Sequence, residues 1–201
     1  MLWSSNSGQS IRKERSLFAE NGCLFSDAKF SADERQVGTL FRDGNLVVWE
    51  LEGVNGLSTR QQDSKLFKFQ FPSAEVKLFD FGANMIVGSG PQFPHLVVKR
   101  NLIAGNTDFT LYKLPREARG IEQLCFLADR LLLGYLSEGI FHLVDLGQQA
   151  PDNKLQIALE IRVPGSLIKR FAVDAQMNAL ALVASNGHVL LYNLPAAIQN
   201  D

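Results

Sequence analysis

Short runs of alternating apolar and polar residues, each bounded by Gly, Pro, Asp, Asn or Ser, recur along the whole chain. A period of two puts successive side chains on opposite faces of a β-strand, and the bounding residues mark its ends. Phe41–Leu51 (FRDGNLVVWEL) is the clearest case. Its Asp43-Gly44 pair predicts a hairpin turn, because the turn needs positive φ, which Gly and small polar residues reach at low cost. The phrase returns as Ser137–Leu146 (SEGIFHLVDL) and Asn186–Leu194 (NGHVLLYNL). Gly44 and Gly139 are 95 residues apart, Gly139 and Gly187 are 48 apart, and 95 is close to twice 48. A further copy is therefore expected near residue 92, where Pro91–Arg100 (PQFPHLVVKR) lies. A fixed spacing of this size marks a repeat architecture.

Taken in order, the pattern predicts strands grouped in four units, 11–51, 65–100, 108–146 and 155–194, with Met1-Leu2-Trp3 as the end of an earlier strand. Each unit holds four short strands separated by polar turns. Pro72, Pro115 and Pro164 fall at the same place in three of them, where a residue that cannot donate to a ladder closes an edge strand. Inner runs such as Leu131–Leu136 and Ala179–Val183 are the most apolar, which suits strands covered on both faces. Helix formers make Ile121–Leu136 readable as a helix, but Gly134 and its position in the repeat favour strands. The expected fold is all-β: about four four-stranded antiparallel blades forming a partial or truncated β-propeller ring, in one domain over residues 1–201.

Three of these strands carry a resemblance. Val47-Val48-Trp49-Glu50-Leu51, Leu143-Val144-Asp145-Leu146 and Leu190-Leu191-Tyr192-Asn193-Leu194 resemble the third strand of WD40 repeats, in degenerate form. The family's Gly-His dipeptide is absent from its usual place, so its Asp-His-Ser-Trp hydrogen-bond network does not carry over and packing is expected to hold the blades. The order of Trp3, Phe41–Glu50, Arg119–Leu127, Leu136–Ile140 and Ala184–Gly187 is similar to the second half of the WD40 region that precedes the TBC domain in a centrosomal, centriolar-satellite family. That resemblance implies a ciliary scaffold in the cytoplasm, at the centrosome or ciliary base. The residues contain no TBC domain, so no GTPase-activating role transfers.

Composition narrows the function. Twenty basic and twenty-one acidic residues give a net charge of −1, which supplies no general attraction to nucleic acid or anionic lipid. No apolar run reaches the length of a membrane-spanning helix, and residues 1–15 lack the apolar centre of a secretion signal. A cytosolic chain is expected. Cys23 and Cys125 have no CxxC or HxxxH spacing and read as reduced core thiols. His95, His142 and His188 occupy repeat positions rather than a convergent site. Ser137, His142 and Asp145 are close in sequence, but alternation sends the last two to opposite faces. Gly88-Ser-Gly-Pro-Gln lacks the frame of a phosphate loop. The expectation is a non-enzyme with no cofactor and no metal.

The reading that remains is a protein-interaction scaffold. Its candidate binding residues sit in loops at one mouth of the ring: Arg42, Asp43, Asn45, Gln92, Phe93, Arg116, Glu117, Arg119, Glu138 and Asn186. Phe93, between Gln92 and Pro94, is expected in a turn, either tucked over the blade edge or exposed as an anchor. Expected partners are other proteins, including a second copy or the missing half of the ring, with no nucleic acid and no membrane insertion. A vesicle-coat or tethering propeller and a propeller-scaffold enzyme are the alternatives; the enzyme needs acids or histidines projecting from inner strands that here are apolar.

Overall fold

The computed structural model describes residues 2–4, 12–15, 24–31, 36–50, 65–82, 85–100, 109–114, 120–127, 131–147, 153–174 and 179–193. Among them every regular element is a β-strand, and no helix is long and apolar enough to cross a membrane. Strands β1 (Leu2–Ser4) and β2 (Arg12–Arg15) form a two-stranded antiparallel sheet. Sheet 1 holds β3 (Phe25–Phe30), β4 (Gln36–Phe41), β5 (Asn45–Glu50) and β6 (Lys65–Gln70). Sheet 2 holds β7 (Leu78–Gly82), β8 (Met85–Gly90), β9 (Phe93–Arg100) and β10 (Thr110–Lys113). Sheet 3 holds β11 (Gln123–Phe126), β12 (Leu132–Ser137), β13 (Ile140–Asp145) and β14 (Gln156–Ile161). Sheet 4 holds three strands, β15 (Ile168–Asp174), β16 (Ala179–Ala184) and β17 (Val189–Asn193). Every pairing between these strands is antiparallel and joins strands consecutive in the chain.

The sheets differ from the expected units by one strand. The run at 65–70, expected to open the second unit, pairs instead with β5 as the outer strand of sheet 1, and β10 and β14 join β9 and β13 in the same way. Each outer strand therefore lies across a long connection from its partner. Among the described residues, sheet 4 has the first three strands of this pattern. The stretch 121–136 is two strands, not a helix: Cys125 pairs with Gly134, and Phe126 with Leu133.

Three apolar cores lie between the four sheets, and alternation assigns each strand's residues to them. In β8, Ile86 faces the core shared with sheet 1, whereas Met85 and Val87 face the core shared with sheet 3. In β12, Leu133 and Tyr135 face sheet 2, whereas Leu132 and Leu136 face sheet 4. Sheets 2 and 3 are thus covered on both faces, which explains their nearly unbroken apolar runs. First strands hold the stack together: β3 and β4 touch β7, β7 touches β11, and β11, β12 and β13 touch β15. Among the described residues no strand of sheet 4 touches sheet 1, so no closed ring is shown. Gly38 keeps the first joint tight, since a Cβ there would stand 2.6 Å from the Phe79 ring.

A side chain bridges each joint. The Asp27 carboxylate accepts from Ala28 N–H at 2.9 Å and from the backbone of Phe79 in the next sheet. Asp80 repeats the arrangement, accepting from Phe81 N–H at 2.9 Å and from Phe126 N–H at 2.8 Å. At the third joint Gln123 Nε2 donates to the Phe171 carbonyl at 2.7 Å, and Phe171 N–H donates back to Gln123 Oε1 at 3.0 Å. Successive first strands have no common ladder at these points, so side chains satisfy the polar backbone that burial would orphan. Within sheet 1, Trp49 Nε1 donates to Thr39 Oγ1 at 3.1 Å, and Thr39 Oγ1 donates to the Val47 carbonyl at 3.2 Å. This indole–hydroxyl pair adds to the packing expected to hold the sheet.

Candidate docking edge

The turns between the second and third strands fall at equivalent places in the four sheets, around Gly44, Pro91-Gln92, Gly139 and Gly187. Gly44, Gly139 and Gly187 have φ of 85°, 76° and 85°, the left-handed region that glycine enters without a Cβ penalty. Glu138 precedes Gly139 with φ 50°, so the Glu138-Gly139 turn has positive φ at both central residues, as a tight primed hairpin requires.

These turns interleave with the segments that lead into each following sheet. Lys77 Nζ, ahead of β7, donates to the Arg42 carbonyl at 3.0 Å, and Lys77 N–H donates to the Ser89 carbonyl at 2.9 Å. Ile121 N–H donates to the Gly90 carbonyl at 3.0 Å, and Ser137 Oγ to the Gly120 carbonyl at 2.6 Å. Ile168 N–H donates to the Gly139 carbonyl at 2.9 Å, and Ser185 N–H to the Leu167 carbonyl at 2.7 Å. Turn, lead-in, turn and lead-in thus form one continuous edge with a fixed backbone.

Arg42 and Asp43 are exposed on the first turn. Asp43 caps it: Asn45 N–H donates to Oδ1 at 3.0 Å, and Asn45 Nδ2 to Oδ2 at 2.6 Å. Gln92 is exposed on the second turn and borders a shallow cleft of about 440 Å³ lined by Ser73, Ala74, Glu75, Lys77, Pro91 and Gln92. Glu138 is exposed on the third, and Asn186 on the fourth, where Asn186 Oδ1 accepts from His188 N–H at 3.1 Å. Arg116, Glu117 and Arg119 lie outside the described residues.

Of the two alternatives for Phe93, tucked in or exposed as an anchor, the structure shows the buried one, in a strand rather than the expected turn. Phe93 lies opposite Gly90, is 8% exposed and packs in the core between sheets 1 and 2. β9 begins at Phe93 itself because Phe93 and Val97 share the face that this core covers.

The titratable groups fit a structural role. Burial pushes the Cys125 thiol up to about 11, helped by the nearby Asp80 carboxylate, so it stays protonated rather than nucleophilic. Burial also raises Asp80 and Asp27, outweighing the backbone N–H groups that each accepts from. His142 is buried and stacks on Tyr135 at 4.7 Å between ring centroids. Burial holds it below the ordinary imidazole value against the pull of Glu160, whose carboxylate is 3.5 Å away. Ser137 Oγ is committed to the Gly120 carbonyl, not to His142. Among the described residues no three His, Cys, Asp or Glu side chains come together as metal ligands.

Sequence reasoning missed Asp27, Asp80 and Gln123. Their backbone partners follow at Phe79, Phe126 and Phe171, so the repeat spacing combined with an aromatic in each first strand was the available signal. Searches of protein-family models and of curated proteins find no match to this chain.

Proposed function

We propose that this chain is a non-catalytic protein-interaction platform, built of WD40-like blades from a β-propeller and binding other proteins along the edge of its turns. The observation that supports the reading most is that edge. Its backbone is fastened turn to lead-in, while Arg42, Asp43, Gln92, Glu138 and Asn186 point polar groups of both signs and of amide type outward. A rigid backbone presenting polar side chains loses little entropy on binding, and mixed charge favours selective protein surfaces over polyanions. The resemblance to the WD40 region of a TBC family makes the centrosome or ciliary base the setting to test.

The experiment is proximity labelling in ciliated cells with the tagged chain and with a variant combining Arg42→Ala, Gln92→Ala, Glu138→Ala and Asn186→Ala. The variant is expected to lose a defined subset of labelled proteins while unfolding at the same temperature as the parent. Identical labelling profiles for the two chains would overturn the edge as the binding surface, and labelling confined to compartments away from the centrosome would overturn the setting.

A further inference from the structure

Sheet 4 presents a face that sheets 1 to 3 keep covered. Its inward residues Leu180 and Leu182 are fully buried, whereas the residues alternating with them and their neighbours on β17 face outward: Val183 is 38% exposed, Val189 61% and Leu191 78%. Gly44 and Gly139 each press on the lead-in of a following sheet, through Ser73 and Leu167, but a Cβ at Gly187 would meet nothing within 4 Å. The joint grammar of the first three sheets therefore stops at a half-built joint. An apolar sheet face of this kind marks an association surface.

We propose that this outer face is a twofold interface, covered by the same face of a second copy of the chain. The strand register supplies the symmetry. Ala172 lies opposite Ala181, and Ala181 opposite Leu191, so these three form one row across the middle of the face. The row on one side begins with Arg170, opposite Val183; the row on the other begins with Asp174, opposite Ala179. Arg170 and Asp174 are both exposed.

A twofold axis along the central row turns the second sheet over with its strands reversed. Leu191 then meets its own symmetry mate, Ala181 meets Ala181, and each Arg170 end lies over an Asp174 end, giving two oppositely charged pairs. An axis along the strands instead sets β15 over β17, placing Arg170 over Val189 and Asp174 over Asn193, so neither charge meets its opposite. Self-complementarity of this type is what a closed dimer requires. The small Ala172 and Ala181 side chains let the two backbones approach, and Leu191 fills the space between them. Strand register and exposure carry this interface independently of the turn edge, so either can fail without the other.

Sedimentation velocity of the whole 201-residue chain over a wide concentration range tests it. The parent chain is expected to sediment as a monomer–dimer equilibrium, and Leu191→Asp as a monomer whose unfolding midpoint matches that of the parent at dilutions where the parent is monomeric. Arg170→Asp and Asp174→Arg are each expected to weaken the dimer roughly tenfold. The double variant Arg170→Asp/Asp174→Arg is expected to recover it, because the exchanged charges meet again across the axis. A parent chain that stays monomeric up to its solubility limit overturns the proposal. So does a dimer that survives Leu191→Asp, or a charge exchange that recovers nothing.

Discussion

Removing the Gln123 amide is the sharpest test of how the sheets are joined. Gln123 exchanges two hydrogen bonds with the Phe171 backbone, at 2.7 and 3.0 Å, in a half-buried setting between sheets 3 and 4. Gln123→Ala deletes both and leaves the Phe171 N–H and C=O competing for whatever water reaches the joint. At about 0.5–1.5 kcal/mol for each bond, the loss is about 1–3 kcal/mol. For a chain of this length, about 2 kcal/mol lowers the thermal midpoint by roughly 4–8 °C. Gln123→Glu gives the more specific signature. Its carboxylate still accepts from Phe171 N–H but opposes the Phe171 carbonyl, whereas its protonated form supplies the missing donor. The folded state therefore raises the pKa of the introduced carboxyl above the reference of about 4.3. The stabilisation from the added proton is full below that reference and is lost as pH rises through the folded value. Urea unfolding of parent, Gln123→Ala and Gln123→Glu between pH 4 and 7 reads all of this. The deficit of Gln123→Glu should shrink toward acid while that of Gln123→Ala stays flat. Equal pH profiles for the two variants, or a Gln123→Ala deficit under about 0.5 kcal/mol, would falsify the bridge as a joint.

Other outcomes follow from neighbouring observations. His142 is held below 6.5, so between the folded value and 6.5 the unfolded chain binds more protons and stability falls as pH drops through that window; His142→Phe, which keeps the stack on Tyr135, should flatten the slope in pH-dependent unfolding. Phe93→Ala empties a core position and should cost about 3–5 kcal/mol, read by urea unfolding, where an exposed anchor would cost almost nothing. Cys125, with its thiol near 11, should be alkylated by iodoacetamide at pH 8 far more slowly than a cysteine in an unfolded peptide, as followed by peptide mass spectrometry.

Much of the fold was legible because β-patterning is local. The turn at Gly44 and its echoes at Gly139 and Gly187 set the repeat, and alternation placed a strand almost everywhere the structure has one. The grouping of strands was not local. A strand such as Lys65–Gln70 has the same alternation whether it pairs backward with β5 or opens a new sheet, and only its tertiary partner decides. Phe93 was misread because Pro94 breaks the visible pattern at the second residue of β9, although Phe93 and Val97 keep the period on the buried face. Among the candidate edge residues, Arg42, Asp43, Gln92, Glu138 and Asn186 could be placed from turn chemistry alone. The joints were hidden for a different reason: a single Asp or Gln in a strand looks like a solvent-facing residue until the backbone of another sheet arrives beside it.

The connections between strands are of two kinds: turns fastened to the lead-in segments, and longer stretches of sequence ahead of the outer strands. Turns such as Arg42–Gly44 and Glu138-Gly139 are bonded to the lead-in segments, so an inserted residue there would tear the edge apart. The outer strands β6 and β10 are reached through the long sequences 51–64 and 101–109. Because the entropy of closing a loop grows only slowly with its length, these sequences can be lengthened at little thermodynamic expense. A fluorescent protein, an epitope or an evolutionary graft should therefore be accommodated within 51–64, and the same cargo placed at Gly139 should abolish folding.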